Sequence, residues 1–148
     1  MSVEIVSVEE RMLGDIEAIE KLCFDPPWTV EQLRSQMSGR HIFLAAVENG
    51  TVLGYVGLEH VLDEGYISNI AVAPEARRRG IADMLLDELG SRARGLGLSF
   101  MTLEVRDSNH PARALYEKHG FSVVGRRKNY YTRPREDAVL MTLITQEA

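Results

Sequence analysis

Hydrophobic and polar positions in the first third of the chain follow two different periods. The stretch VEIVSV (3–8) alternates residue by residue, which predicts a strand. The next apolar residues recur at three- and four-residue steps and predict a helix with one apolar face: Met12, Ile16, Ile19 and Cys23. Thr29, with Gln32 three residues later, has capping-box spacing and predicts a second helix, with Trp28 and Leu33 placed to form a hydrophobic staple.

Three further apolar stretches each predict a strand: HIFLAAVE (41–48), TVLGYVGLEH (51–60) and GYISNIAV (65–72). Asn49-Gly50 lies between the first two, and this dipeptide is a strong signal for a tight hairpin. A long amphipathic helix follows and ends near Gly95 and Gly97. Its expected apolar face consists of Ala82, Leu85, Leu86, Leu89, Ala93 and Leu96.

The last third of the chain predicts a strand, a short helix and two more strands. These elements are LSFMTLEV (98–105), HPARALYEKHG (110–120), FSVVGRR (121–127) and AVLMTL (138–143). The whole order is therefore β-α-α-β-β-β-α-β-α-β-β, which mixes hairpins with crossover connections. Such an order predicts an α/β (α+β) fold with a mixed sheet, because hairpins join antiparallel strands and helical crossovers join parallel ones.

Length and composition limit the kind of protein this is. A chain of 148 residues has the length of one ordinary domain, so we expect residues 1–148 to form a single unit. With 45% hydrophobic and 26% charged residues, the composition is typical of a soluble globular protein. No apolar run approaches the roughly 18 residues of a membrane helix, and Cys23 has no second cysteine to pair with. We therefore expect a cytoplasmic protein, not a membrane protein.

Charge also limits the partners. The formal net charge is −5 and the sequence pI is about 5.4, which argues against direct nucleic-acid binding and favours a basic partner. We expect a monomer or weak dimer.

The most basic stretch of the chain lies directly before the long helix. EARRRGIADMLLDELG (75–90) places Arg77, Arg78, Arg79 and Gly80 where a strand turns into that helix. Free main-chain N–H groups at a helix N-terminus form an anion site, although a solvated charge run would give the same pattern. The motifs GxxxxGK[ST] and GxGxxG are absent, which argues against a nucleotide triphosphatase or dinucleotide dehydrogenase.

This stretch is similar to motif A of the GNAT acetyltransferases. In NIAVAPEARRRGIADMLL (69–86), Arg77, Gly80 and Ala82 fill the family pattern [Gln/Arg]-x-x-Gly-x-[Gly/Ala]. The likeness continues through LEVRDSNHPARALYEKHGF (103–121) and RRKNYYTRPREDAVLMTL (126–143). Together with PWT (27–29), these two blocks resemble the RimI branch, the ribosomal-protein-alanine N-acetyltransferases, so the resemblance covers nearly the whole chain.

The resemblance implies the GNAT fold, a mixed and mostly antiparallel sheet of about six to seven strands with about four helices. It implies acetyl-CoA as cosubstrate, and the spacing of the histidines separately leads us to expect no metal. Amides of the arginine-rich loop would hold the cofactor pyrophosphate, and main-chain groups of the preceding strand would contact the acetyl carbonyl and pantetheine. The cofactor-binding residues expected on this basis are Ile70, Ala71, Val72, Arg77, Arg78, Arg79, Gly80, Ile81, Ala82, Asn109 and Tyr116.

Acetyl transfer to an amine needs a neutral amine, a polarised carbonyl and a proton for the departing thiolate. The resemblance implies Glu104 as the base; the alternative is a surface carboxylate paired with Arg106 on the same strand face. It implies Tyr116 as the acid, with a phenol pKa near 10; the alternative is an aromatic that covers the helix edge. Asn109 would bind the pantetheine arm, or cap the following helix, or both.

The RimI resemblance further implies an acceptor, the N-terminal α-amine of an alanine-starting ribosomal protein. Candidate acceptor-binding residues are Glu64, Tyr130, Tyr131 and Glu136, although strand tyrosines also serve as cross-strand packing. The alternatives are a lysine, polyamine or other small amine as acceptor, or a non-catalytic acyl-CoA-binding module.

Other chemistry is less well supported by the sequence. The four histidines, His41, His60, His110 and His119, have no metal-ligand spacing, and no GxSxG motif occurs. Cys23 lies on the predicted apolar face of its helix, which favours a small buried hydrophobe over a nucleophile. The basic cluster Arg126, Arg127 and Lys128 could meet the 3′-phosphate of the cofactor or a ribosomal partner, or could simply be solvated.

Overall fold

The computed structural model describes residues 2–146. The helices are α1 (Leu13–Cys23), α2 (Val30–Ser35), α3 (Ile81–Gly95) and α4 (His110–Lys118). The strands are β1 (Glu4–Ser7), β2 (His41–Glu48), β3 (Thr51–Val61), β4 (Glu64–Val72), β5 (Phe100–Arg106), β6 (Ser122–Thr132) and β7 (Arg135–Ile144). Single 3-10 turns at Glu10–Met12 and Pro74–Ala76 precede α1 and the loop before α3. The element order is the one predicted.

The seven strands form one sheet in the order β1-β2-β3-β4-β5-β7-β6. Within the described residues, β4 and β5 are the only parallel neighbours, since they are joined by the α3 crossover; all other pairs are antiparallel. The predicted mixed sheet is therefore confirmed. None of the helices in this part of the chain is long and apolar enough to cross a membrane.

Local sequence signals place the first elements as predicted. The capping box at the start of α2 is formed, with Gln32 N donating to Thr29 Oγ1 (3.2 Å) and Thr29 N donating to Gln32 Oε1 (2.8 Å). Asn49 and Gly50 have φ values of 51° and 79°, which turn β2 tightly into β3. Leu33 and Ile16 are buried in the core, so α1 and α2 cover the sheet with the predicted apolar faces.

Three expectations differ from the structure. Leu96 is 55% exposed because α3 ends at Gly95 and the chain turns through Gly97 at a φ of 77°. Strands β6 and β7 are longer than predicted, since irregular pairing between Arg127 and Tyr131 carries the ladder to the end of the hairpin. Cys23 is half-buried, not a core residue, because it lies where α1 ends beside the end of β4.

The two parallel strands, β4 and β5, stop pairing near their middle and diverge. Pairing between β4 and β5 ends at Tyr66 and Thr102, yet β4 continues to Val72 on β3 and β5 continues to Arg106 on β7. A bulge at Ser68 interrupts the β3–β4 register at the same level. The sheet therefore splits into two diverging halves, and the gap between them positions the site described below.

Candidate active site

A cavity of about 600 Å³ lies at the parting of β4 and β5. Its walls come from these two strands, from the end of α1 and the segment after it, from α4 and from the β6–β7 hairpin. Six of the residues predicted from the sequence line it: Ile70, Glu104, Asn109, Tyr116, Tyr130 and Tyr131. Side chains that are far apart in sequence are thus brought to one cavity of a size suited to a small ligand.

The edge of β4 offers main-chain groups to this gap. Ala73 N donates to Leu53 O (2.8 Å), so the main-chain polar groups of Ala73 face β3. Because these groups alternate in direction along a strand, the N–H and C=O groups of Ile70 and Val72 point toward the gap. Ala71 instead faces β3 with its main chain. Of the three predicted β4 residues, Ile70 and Val72 are therefore placed to contact a ligand through main-chain atoms.

The arginine-rich loop presents a row of main-chain amides. Arg78 and Gly80 have positive φ values of 65° and 75°, which turn the chain into α3. The first main-chain bond of α3 is Met84 N to Gly80 O (3.1 Å), and Gly80 caps the helix without a side-chain bond. Within residues 2–146, none of the amides from Arg78 to Asp83 donates to a protein acceptor. This geometry, which includes Ile81 and Ala82, suits a phosphate group.

The three arginines of the loop have different roles. Arg77 turns back to β4, donating from Nε to Val72 O (3.4 Å) and from Nη2 to the Cys23 sulfur (3.5 Å). Arg79 pairs with Glu48 at 2.8 Å, and this hydrogen bond holds the pKa of Glu48 below its usual value. Arg78 is exposed and has no ion-pair partner among the described side chains. A uniform solvated run of charge therefore does not describe this loop.

Glu104 lies on β5 where that strand has left β4. Its side chain is 23% exposed and its Oε1 lies 3.3 Å from Arg127 Nε on β6. Arg106, the partner considered from sequence, turns to the β6–β7 hairpin instead and pairs with Glu136 at 3.2 Å. The alternative interpretation, a Glu104–Arg106 pair, is therefore wrong, because β6 brings Arg127 to Glu104 and sequence spacing cannot show this.

Tyr116 is a buried wall residue of the cavity. Its ring packs against Phe121 at a centroid distance of 5.7 Å. Burial, with a smaller contribution from Tyr131, raises the pKa of Tyr116 well above its ordinary value. The expected phenol pKa near 10 is therefore wrong, because the cavity wall removes water from the hydroxyl group. Tyr116 stays protonated over a wider pH range than a free phenol.

Asn109 caps α4, as one of its two interpretations predicted. Its Oδ1 accepts a hydrogen bond from Ala112 N at 3.2 Å. The residue also lines the cavity, so its contact with the pantetheine arm stays a prediction that this cap does not oppose.

The β6–β7 hairpin supplies an aromatic pair to the cavity. The rings of Tyr130 and Tyr131 meet edge to face at 5.1 Å, and the Arg106 guanidinium lies 4.3 Å from the Tyr131 ring centroid. Burial of Tyr131 raises its pKa to about 12. Arg106 also donates to the carbonyl oxygens of Arg133 (3.0 Å) and Pro134 (2.9 Å), so one side chain fixes the end of the hairpin.

Glu136 and Glu64, the two acidic residues predicted to bind the acceptor, do not line this cavity. Glu136 accepts from Ser108 N (2.5 Å) and pairs with Arg106, and these contacts, those with Ser108 first, hold its pKa low. It thereby joins β7 to the segment before α4. Glu64 begins β4 opposite Phe100, at the closed end of the gap.

Sequence reasoning missed Glu20 and Arg106 as cavity residues. Glu20 is a wholly buried carboxylate on α1. A signal existed, since Met12, Ile16 and Glu20 follow each other at four-residue spacing, which places a charged side chain in the buried row of the helix. No group of three or more His, Cys, Asp or Glu side chains suited to a metal ion occurs among residues 2–146.

Comparison with known proteins gives the family. The model of the Acetyltransferase (GNAT) family matches residues 13–121. The chain belongs to the GNAT acetyltransferase family. Ribosomal protein bS18-alanine N-acetyltransferase from Haemophilus influenzae is 39% identical over 126 residues, which cover 83% of this chain and 86% of that protein. The enzyme of the same name from Escherichia coli K12 is 36% identical and covers 94% of this chain and 95% of its own.

A solved structure shows the same architecture. The crystal structure of the ribosomal-protein-S18-alanine N-acetyltransferase from Escherichia coli superposes with a TM-score of 0.91 at 35% identity, covering 99% of this chain and 96% of that one. The GNAT fold and the resemblance to the RimI branch are therefore confirmed, and this chain is an N-acetyltransferase. GNAT acetyltransferases use acetyl-CoA, whose diphosphate suits the amide row before α3.

The positive φ of Gly80 yields a testable prediction for this GNAT enzyme. Because the φ of Gly80 is positive, Gly80→Ala adds backbone strain of about 1–2 kcal/mol, although its Cβ would meet no protein atom within 4 Å. The substitution also adds a methyl group within the row of amides from Arg78 to Asp83. We expect Gly80→Ala to lower stability slightly and to weaken coenzyme A binding at least about tenfold, measured by calorimetry.

Gly50 provides a matched control. It has a similar φ of 79° and equally open surroundings, but lies in the β2–β3 turn. Gly50→Ala should lower the melting temperature similarly and leave coenzyme A affinity unchanged. Equal loss of affinity in both variants would remove the amide row from the site.

Proposed function

We propose that this enzyme transfers the acetyl group of acetyl-CoA to the N-terminal α-amine of a protein, an alanine-starting ribosomal protein. The observation that carries the proposal is the cavity at the strand gap, where Glu104, Tyr116 and the main chain of Ile70 come together. The relatives named for ribosomal protein bS18-alanine acetylation, at 36% and 39% identity, support this acceptor. With a ribosomal substrate the enzyme would act in the cytoplasm, and we propose that it is a monomer or weak dimer.

Acetyl-CoA would lie along the gap between β4 and β5. Its diphosphate would meet the amides from Arg78 to Ala82, with Arg78 as an available cation. The pantetheine arm would follow the main chain of Ile70 and Val72 and pass Asn109. Gly80 supports this placement, because the space over its Cα is open. The ligand supplies an acetyl group activated as a thioester.

The proposed chemistry is direct transfer without an acyl-enzyme. Glu104 accepts the amine proton, directly or through a water molecule, as the amine nitrogen bonds to the acetyl carbon. The carbon–sulfur bond breaks, and Tyr116 gives its proton to the departing sulfur. Because burial raises the pKa of Tyr116, the phenol is protonated at neutral pH and carries the proton that the departing sulfur needs.

An α-amine suits the proposed chemistry better than a lysine side chain, because it is more easily deprotonated. The pKa of an α-amine is near 8 and that of lysine near 10.4, so the α-amine loses its proton more easily by roughly two and a half units at neutral pH. Tyr130 and Tyr131 border the cavity and are placed to contact the first residues of an extended peptide. Arg106 contacts the ring of Tyr131, which in turn packs against Tyr130.

Two matched peptides test the acceptor. One begins with a free alanine and lacks lysine; the other has a blocked N-terminus and one lysine. We expect tandem mass spectrometry after incubation with acetyl-CoA to find acetate on the free alanine alone. Acetate on the lysine alone would contradict an α-amine acceptor, and no transfer to either peptide despite acetyl-CoA binding would favour a small amine or a binding module.

Tyr116 variants test the proton donor. Tyr116→Phe removes the hydroxyl group and keeps the ring that packs on Phe121, so we expect kcat to fall by about a hundredfold or more with little change in acetyl-CoA affinity. Because burial raises the pKa of Tyr116, wild-type kcat should show no decline from loss of this proton up to about pH 10.

Tyr66→Phe serves as the control, since Tyr66 is exposed at the closed end of the strand gap. Its kcat should equal that of the wild type. A Tyr116→Phe enzyme with full kcat would show that another group protonates the thiolate.

A further inference from the structure

Glu20 joins two walls of the cavity through hydrogen bonds. Its Oε1 accepts from Trp28 N at 2.7 Å, and its Oε2 accepts from Asn69 Nδ2 at 2.7 Å. Trp28 belongs to the segment between α1 and α2, and Asn69 belongs to β4. We call residues 24–28, most of which line the cavity, the front wall. One carboxylate therefore sets the spacing between the front wall and β4.

The charge on Glu20 is unusual among the ions of the cavity. Other charged lining residues have opposite partners: Glu104 with Arg127, Arg106 with Glu136, and Asp25 with Arg133. Glu20 has no cation within ion-pair distance among the described side chains, and burial raises its pKa. A buried carboxylate without a cation is costly unless its hydrogen bonds are needed. Both of its oxygens act as acceptors, as they do in an ionised carboxylate.

The two partners of Glu20 flank the places where ligands would bind. Asn69 directly precedes Ile70, whose main chain faces the strand gap. Trp28 lines the cavity and directly precedes Thr29, the cap of α2. Since Trp28 is held through its main-chain N–H, a movement of the Glu20 carboxylate would move the front wall itself and not only a side chain.

We propose that Glu20 is a positioning residue for the acceptor: through Trp28 and Asn69 it fixes the front wall at the distance from β4 that the first acceptor residue requires. This inference rests on the proposed function. We do not expect Glu20 to touch a reacting atom, because its side chain is wholly buried and each oxygen accepts a hydrogen bond from the protein. Its effect should therefore fall on the acceptor and spare acetyl-CoA, whose proposed contacts lie on the main chain of β4 and on the loop before α3.

Two substitutions of Glu20 separate the effect of side-chain length from the effect of charge. Glu20→Gln keeps the length and an oxygen for Trp28 N, and its amide can pair with Asn69 once the Asn69 amide turns over. Glu20→Asp keeps the charge but is one methylene shorter, about 1.5 Å, so it cannot hold both partners. If Glu20 positions the front wall, Glu20→Gln should keep the acceptor KM within about threefold of the wild-type value, while Glu20→Asp should raise it about tenfold or more.

Trp28 supplies a second readout that needs no turnover. It is the single tryptophan of the chain, so its fluorescence reports on the front wall alone. We expect Glu20→Asp to shift the emission spectrum and weaken its response to the alanine-starting peptide, and Glu20→Gln to resemble the wild type. The KM for acetyl-CoA should stay unchanged in both variants, which shows that the fold is intact.

Glu17 offers a matched control on the same helix. Its Oε2 accepts from Val30 N at 3.2 Å, so it too ties α1 to the start of α2, but it does not line the cavity. Glu17→Asp should leave acceptor KM and Trp28 emission unchanged. An equal effect of Glu17→Asp would overturn the proposal, because it would show general loosening of α1 and α2.

Two other outcomes also test whether Glu20 positions the front wall. Full acceptor affinity in Glu20→Asp with loss in Glu20→Gln would overturn positioning and assign Glu20 a role through its charge. If the wild type transfers no acetyl group to the peptide, the proposed function fails. In that case Trp28 emission in Glu20→Asp and Glu20→Gln still shows whether Glu20 fixes the front wall.

Discussion

The site depends on a break in main-chain pairing inside an otherwise continuous sheet. Strand pairing normally satisfies the N–H and C=O groups of β4, and these groups have to find other partners where β5 moves away. After Tyr66, the main-chain groups of β4 that face β5 are therefore free to bind ligands or side chains such as Arg77. The amides before α3 continue the same arrangement, because a helix N-terminus leaves its first donors unpaired. Both features offer main-chain groups, so the proposed binding mode needs few side chains to hold acetyl-CoA.

Side chains instead organise the part of the cavity that we propose for the acceptor. Arg106 fixes the β6–β7 hairpin through Glu136, two carbonyl oxygens and the ring of Tyr131. Glu20 fixes the opposite front wall against β4. Each wall is thus held by one charged side chain from a core element, and the two walls meet at the Asp25–Arg133 pair (3.5 Å). In the proposed function, the acetyl-CoA half of the site depends on the main chain of the fold, whereas the acceptor half depends on individual side chains.

The sequence predicted what local physics determines. Capping at Thr29, the Asn49-Gly50 turn and the glycine before α3 depend on near neighbours, so each was correctly located. The divergence of β4 and β5 was not predictable, because both strands have ordinary apolar patterns. It depends on their other neighbours, since β4 continues to pair with β3 and β5 with β7. The partner of Glu104 was missed for the same reason, since β6 lies two strands away in the sheet. The buried row of α1 did contain a signal for Glu20 that a count of apolar residues alone overlooks.

The central claim is that the strand gap and the amides before α3 together form the acetyl-CoA site. Amide hydrogen exchange with and without coenzyme A tests it most directly, because these donors lack protein partners within residues 2–146. The account predicts that coenzyme A slows exchange at residues 78–83 and at Ile70 and Val72, while the β2–β3 turn is unchanged. Tight binding without added protection at these amides would contradict it and place the cofactor elsewhere on the molecule.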